Sequence, residues 1–355
     1  MPLPRKKRIS QVQIAKELGF SQALVSMALN GRKKDISESA YKAIWNYALQ
    51  HGYSPRGMNI ETANSTAAAT TIGYILRSPL KLATKSNFFS QVHQGLYDHL
   101  NSKDIKTVFL GSEDDIVSAT TSQPFTLPIS VKGIAIMGEI CPDLLAKLQA
   151  HNKPIVYISA RSMGKCHSIL SNETESAEFL VEHLIALGHT SFAWLGGNRK
   201  LGQHHDRFTS TANALKAHGF TLEEHHRAQE IGADRKEGHI AASQILEKSG
   251  NTPPTAWICL NGLMARGAIN KLYQSGIKVG THVSVAAFDM TQLCLEEYPT
   301  ITCAGTNPEI MGAEAAKILL SAINSESNIL TDITIPSKLR IGESTSEPLI
   351  QQQTG

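Results

Sequence analysis

Long hydrophobic runs are missing from this 355-residue chain. No apolar stretch approaches the roughly 20 residues that cross a bilayer, so no membrane partner is expected. Cysteine is scarce: the five residues, at 141, 166, 259, 294 and 303, are scattered and never spaced as CxxC. Such a set argues against a disulfide framework or a thiolate zinc site and predicts a reducing, cytoplasmic setting. Neither GxSxG nor HExxH occurs, and no carboxylate pair stands out as general acid and base. No catalytic residue, metal site or cofactor is therefore expected. The basic opening "MPLPRKKRIS" is followed by no apolar segment, so no secretory leader is expected either.

Acidic residues are short at one end only. Residues 1–60 hold ten Lys or Arg against three carboxylates, a net +7; with +3 overall, the remaining 295 residues carry −4. A basic head on a mildly acidic body suggests a polyanionic partner for the head alone, although a solvated lysine-rich tail fits composition equally well.

Within the head, "IAKELGFSQALVSMALNG" divides into two short predicted helices. Ser10 can cap the first, Gln11 to Leu18, and Gly19 can end it in the left-handed conformation. Ser21 can cap the second, through Leu29, with Asn30-Gly31 as its stop. Ala15, Gly19 and Val25 have the spacing of a helix-turn-helix: a small residue at the crossing, a glycine at the turn, a β-branched lock. With Val25, Ala28 and Leu29 inward, Gln22, Ala23, Ser26 and Met27 face outward. Gln22 has the geometry for paired hydrogen bonds to adenine, whereas Ala23 and Met27 offer only apolar contact, for instance to a thymine methyl. Beyond Asn30, Arg32, Lys33 and Lys34 would lie over phosphate, adding affinity without sequence information. A third helix, capped by Ser37, carries the stripe Ala40, Ile44, Tyr47 and Ala48 and ends at "HGYSP". A three-helix core without DNA is the plain alternative.

Residues 56–71, "RGMNIETANSTAAATT", are small and polar without apolar periodicity and read as a linker. From Ile72 on, β-rich runs such as "IGYIL", "IKTVFL", "VKGIAIM", "PIVYIS", "SFAWLGG", "TAWICL" and "VSVAAF" alternate with helical stretches. Repeated βα units predict parallel sheets covered by helices, with ligands at the carboxyl ends of the strands. Two lobes facing a cleft are the economical arrangement for so long an α/β body.

At this point the residues resemble the lac repressor family of bacterial transcription regulators. The head resembles that family's DNA-binding domain almost throughout. "SNFFSQVHQGL", "NETESAEFLVEHLIALGHTSFAWLGG", "RFTSTANALKAHGF", "PTAWICLNGLMARGAINKLYQSGIKVGTHVSVAAFD" and "NPEIMGAEAAKILL" follow in the family's order, over about residues 8–345. The resemblance implies a small all-α helix-turn-helix domain (1–55), a hinge (56–71) and a type I periplasmic-binding-protein-like α/β body (72–345). Lobe one would take about 72–168 plus 304–334, lobe two about 169–303 plus 335–345, and 346–355 would be a tail. It also implies a homodimer on a near-palindromic double-stranded operator, controlled by a small effector, by default a sugar.

Carried over position by position, the family's base-reading pair falls on Gln22 and Ala23, and its later base contact on Met27. Ser21 and Ser26 fall where small polar residues meet phosphate. The hinge departs from the pattern: Thr62 stands where a minor-groove leucine belongs, so Met58 or Ile60 is the candidate wedge, with a disordered linker as the alternative. In the effector site, Phe88 matches a ligand-packing aromatic, Arg207 an arginine that grips oxygens, and Asn172, Asn261 and Asp289 ligand hydrogen-bonders. Ser159, Ser171 and Gly262 stand where acids are usual. Fewer carboxylates then oppose Arg207, which leaves an anionic effector open beside the default sugar.

"GQHHDR" at 202–207 sets His204, His205 and Asp206 together and could suggest metal, but adjacent residues rarely converge on one ion, so a solvated loop is the expectation, with direct ligand contact as the alternative; His225-His226 reads as surface. Gly196-Gly197 lacks the spacing of a nucleotide-binding loop. The reading is a cytoplasmic repressor; the alternatives are a sugar-binding protein or a sugar-acting enzyme on the same body.

Overall fold

The computed structural model describes residues 9–29, 36–50, 70–77, 88–119, 125–250, 252–325 and 329–349. Asn30, Arg32, Lys33, Met58, Ile60 and Thr62 lie outside the described residues.

Three helices open the chain: α1 (Gln11–Leu18), α2 (Gln22–Leu29) and α3 (Glu38–Gln50). Their ends follow the local chemistry. Ser10 Oγ accepts from Gln13 N at 3.2 Å, Ser21 Oγ from Leu24 N at 3.1 Å and Ser37 Oγ from Ala40 N at 3.3 Å. Gly19 turns left-handed with φ 69°, which frees the chain to start α2 at once. Ile14, Ala15, Val25, Ala28, Leu29, Tyr41, Ile44 and Ala48 close into one core.

The body continues with β1 (Thr71–Leu76), α4 (Phe88–Asn101), β2 (Lys106–Ser112), α5 (Glu113–Ala119), β3 (Val131–Met137), α6 (Pro142–Gln149), β4 (Ile155–Ile158) and β5 (His167–Ser171). Next come α7 (Glu173–Ala186), β6 (Phe192–Gly196), α8 (Gly202–Ala217), β7 (Arg227–Gln229), α9 (Arg235–Ser249), β8 (Ala256–Cys259), α10 (Gly262–Gln274), β9 (Ser284–Phe288), α11 (Gln292–Glu296) and β10 (Thr302–Gly305). The last elements are α12 (Pro308–Asn324), β11 (Asp332–Ile335) and β12 (Lys338–Arg340).

Among the described residues these strands make two six-stranded sheets, ordered β11-β5-β4-β3-β1-β2 and β12-β10-β9-β8-β6-β7. The central pairings are parallel and β12 runs antiparallel to β10. Near-continuous apolar strands such as β1, β6 and β9 are buried along their whole length, as strands covered by helices on both faces must be. The chain divides into one compact unit of residues 1–169 and 309–333 and another of 170–308 and 334–355.

Two details differ from the sequence expectation. The return to the first unit comes after Pro308 rather than at 304, because Thr302, Cys303 and Ala304 pair with Ala286, Ala287 and Phe288 in the second sheet. The expected tail at 346 begins later: His189, itself buried, meets Ser284 Oγ at 2.9 Å and the Ser346 carbonyl at 3.0 Å, and Ser346 N donates to Ser284 Oγ.

Each unit also contains a helix pair packed backbone to backbone. A Cβ built on Gly95 of α4 would lie 1.9 Å from the Glu309 carbonyl oxygen of α12, and one on Gly312 would lie 1.9 Å from the Val92 oxygen. In the second unit, Gly238 of α9 faces the Met264 oxygen at 2.1 Å and Gly267 of α10 the Arg235 oxygen at 2.0 Å. Only glycine fits at such crossings. Among the described residues no helix is long and apolar enough to cross a membrane.

Candidate functional site

In the head, inward packing of Val25, Ala28 and Leu29 turns the start of α2 outward. Ser21, Gln22 and Ala23 are exposed, and Ser26 and Met27 are half-buried. These are the positions that a helix-turn-helix offers to base edges from the N-terminal part of its second helix. Trp45 of α3 steadies the other end of α2, its indole N–H donating to the Ala28 carbonyl at 3.1 Å. Tyr41 joins the core beside the expected stripe of α3, 6.4 Å from the Trp45 ring. Neither contribution follows from the spacing of the apolar stripe.

In the second unit, the residues singled out from the sequence gather just beyond the carboxyl ends of β8 and β9, where α/β sheets hold their ligands. Arg207 projects from the second turn of α8 and is only 4% exposed. Its Nε donates to Glu173 Oε2 at 2.7 Å and its Nη2 to Glu173 Oε1 at 3.2 Å and Asp289 Oδ1 at 2.6 Å. Its Nη1 donates to the Leu260 carbonyl at 2.8 Å, and the guanidinium carbon lies 5.1 Å from the centroid of the Phe288 ring.

Burial alone would pull the Arg207 pKa down; Asp289 and Glu173 outweigh it and hold the guanidinium above its ordinary value. Burial pushes the Asp289 carboxyl up, further than Arg207 pulls it back, and the neighbouring Glu173 adds to the rise. Asp289 follows β9 directly at φ 74°, a conformation rare for a residue with a side chain, and its N–H donates to the Ala304 carbonyl.

The two asparagines flank this group in a different role from the one expected. Asn172 Oδ1 caps α7, accepting from Glu175 N at 3.2 Å. Asn261 Oδ1 caps α10, accepting from Met264 N at 2.8 Å, while its Nδ2 donates to the Ala233 carbonyl at 2.9 Å. Both ends of the Asn261 amide are thus committed to the fold. Phe88 belongs to the first unit, where it opens α4 half-buried, edge-on to Phe89 at 5.4 Å.

Glu173 is the residue that sequence reading missed. Replacement of an acid by Ser171 suggested a weakened carboxylate set opposite Arg207. The structure corrects this: an acid two residues later, at the first position of α7, takes the Nε–Nη2 edge of the guanidinium with both its oxygens. Ser171 Oγ donates to Glu173 Oε1 at 2.5 Å and Gln203 Nε2 donates to the same oxygen at 3.0 Å. The signal available was the acidic first turn after the Asn172 cap, a favoured place for negative charge. Gly262 has a packing reason, since a Cβ there would lie 2.4 Å from Cys294 Sγ and an aspartate would displace that thiol. His205 Nε2 meets Thr209 Oγ1 at 3.4 Å within α8, and the His225 and His226 rings lie 4.0 Å apart. Among the described residues no set of three or more metal-ligating side chains converges.

A family profile described as periplasmic binding protein-like domain matches residues 181–345. The HTH-type transcriptional repressor PurR of Aliivibrio fischeri strain ES114 is 25% identical over 88% of this chain and 91% of its own. The probable HTH-type transcriptional repressor ExuR of Bacillus subtilis is 26% identical, over 88% and 90%. Among solved structures, the CelR regulator in complex with cellobiose superposes with a TM-score of 0.67 at 20% identity, covering 95% of this chain and all of that one. The lac repressor dimer bound to operator and the anti-inducer ONPF gives 0.64 at 20% identity, over 96% of this chain and all of that one. Two helix-turn-helix repressors thus align along 88% of this chain, whose described residues form a three-helix head and two six-stranded sheets.

Proposed function

We propose that this protein is a sequence-specific DNA-binding transcriptional repressor controlled by a small effector. The observation that carries the reading is the alignment with helix-turn-helix repressors over 88% of the chain, coupled to a capped helix pair that leaves Gln22 and Ala23 exposed. Two copies form a homodimer, and their heads read the half-sites of a near-palindromic operator. Gln22 reads adenine, Ala23 and Met27 make apolar contacts, and Ser21, Ser26, Asn30, Arg32 and Lys33 hold phosphate. Met58 or Ile60 supplies the hinge wedge. The protein works in the cytoplasm and catalyses no reaction.

The effector is a sugar or sugar derivative held by the Arg207 and Asp289 group. A complex with cellobiose among the similar structures, and another with bound ribose, support that class. Control requires that the effector bind the DNA-competent and DNA-incompetent states unequally.

Selection of bound duplexes from a random DNA pool, with full-length protein at two salt concentrations, tests the reading. A two-fold symmetric motif that survives the higher salt is the expected result. Motif-free binding that vanishes with salt would reduce the head to a cation on phosphate and overturn it.

A further inference from the structure

Replacement of an acid by Ser171 suggests a guanidinium with spare capacity, open to an anionic effector. The geometry of Arg207 argues the opposite. A guanidinium has five N–H donors. Arg207 commits four of them: Nε and one Nη2 hydrogen to the two oxygens of Glu173, the other Nη2 hydrogen to Asp289 Oδ1, and one Nη1 hydrogen to the Leu260 carbonyl. A carboxylate or phosphate is gripped best by two parallel N–H groups, and Arg207 has no such pair left. The formal charge of the group, two carboxylates against one guanidinium, is −1.

Glu173 does not swing away readily. Ser171 Oγ and Gln203 Nε2 both hold its Oε1, and the N-terminus of α7 favours its charge. Its side chain is 11% exposed and that of Asp289 12%, so solvent does little to screen their repulsion of an incoming anion. Asp289 uses Oδ1 for Arg207, leaving Oδ2 as an acceptor for a donor such as a hydroxyl.

We infer that Glu173 is a specificity-determining residue: by occupying the fork of Arg207 it restricts the effector to uncharged polyhydroxyl compounds and turns away their carboxylate and phosphate counterparts. This rests on the proposed effector reading. Hydroxyls donate to Asp289, and charge, not size, decides between a sugar and its acid.

Calorimetric titration of the full-length protein with matched probes tests the assignment: glucose and glucuronate, galactose and galacturonate, ribose and ribose 5-phosphate, cellobiose and cellobiuronate. The wild type should bind at least one neutral member ten-fold or more tighter than its anionic twin. Glu173→Gln, which keeps the shape and removes the charge, should lower that ratio at least ten-fold, while Glu173→Asp keeps its direction. If Glu173→Gln does not fold, Ser171→Ala, which loosens one of the two holds on Glu173, should lower the ratio in the same sense. A wild type that prefers the anion, or a ratio unmoved by these changes, overturns the assignment and leaves the effector reading intact. A wild type that binds none of the eight probes overturns both.

Discussion

Removing the guanidinium of Arg207 should destabilise the body by an amount that depends on pH. In Arg207→Met, Glu173 and Asp289 face each other with no cation between them, and the Leu260 carbonyl loses its donor. Deleting one partner of a buried ion pair costs about 3–5 kcal/mol, because the remaining charge stays desolvated. The orphaned carbonyl adds about 1 kcal/mol, offset by about as much from the methionine side chain against Phe288. A net loss of about 3–5 kcal/mol near pH 7.5 follows.

The pH dependence has a definite sign. Burial already raises Asp289 in the wild type, and without Arg207 nothing opposes the rise. An acid raised in the folded state keeps its proton there while the unfolded chain, with an ordinary value of about 3.9, has lost it. Its contribution is therefore fully present at low pH and is lost as pH climbs through the folded value. Each pH unit in that window changes stability by about 1.4 kcal/mol. Urea unfolding of wild type and variant at about pH 5 and about pH 7.5 should show the deficit shrinking by about 1–2 kcal/mol at the lower pH. Adding Glu173→Gln to Arg207→Met should recover part of the loss at pH 7.5, since one of the two facing charges is gone. Equal deficits at both pH values, or a loss under about 1 kcal/mol, would refute the description of this group as a buried, mutually dependent trio.

Three further outcomes are expected. Gln22→Ala should cost about 1–3 kcal/mol on the preferred operator and relax one position per half-site; selection from a random pool should show that position lose its preference while the others hold. Trp45→Phe removes the donor to the Ala28 carbonyl and should weaken the head by about 1 kcal/mol, read as roughly five-fold faster amide exchange across α2, whereas unchanged exchange would deny the bond a role. Gly312→Ala places a Cβ 1.9 Å from a backbone oxygen that cannot rotate away, so the cost should reach about 3 kcal/mol and Tm should fall by about 6 °C or more; an unmoved Tm would mean that α4 and α12 do not touch as described.

What was legible in the sequence was what neighbouring residues decide. Ser10, Gly19, Ser21 and Ser37 cap or turn their helices through bonds only a few residues long, so the head could be read from spacing. The alternating strands and helices of the body announced themselves by apolar runs. Strands without a continuous apolar run did not: β5, β7, β11 and β12 mix polar residues into three to five positions, and in β11 and β12 exposure alternates with partial burial. Glu173 escaped for a different reason. Its meaning depends on Arg207, 34 positions on, which in turn depends on Asp289, 82 positions further. Asn172 and Asn261 were legible as important, but each amide also served as an ordinary helix cap, and nothing local separates that use from ligand contact.

The glycine crossing of α4 with α12 has a mechanical meaning. Side chains between helices act as a compliant layer, because rotamers can change and let one cylinder slide along the other. Gly95 and Gly312 remove that layer and set carbonyl oxygens against α-carbons. The chain re-enters its first unit at the start of α12, directly after Pro308. A pull arriving at that entry point meets no slack: α12 and α4 travel as one beam.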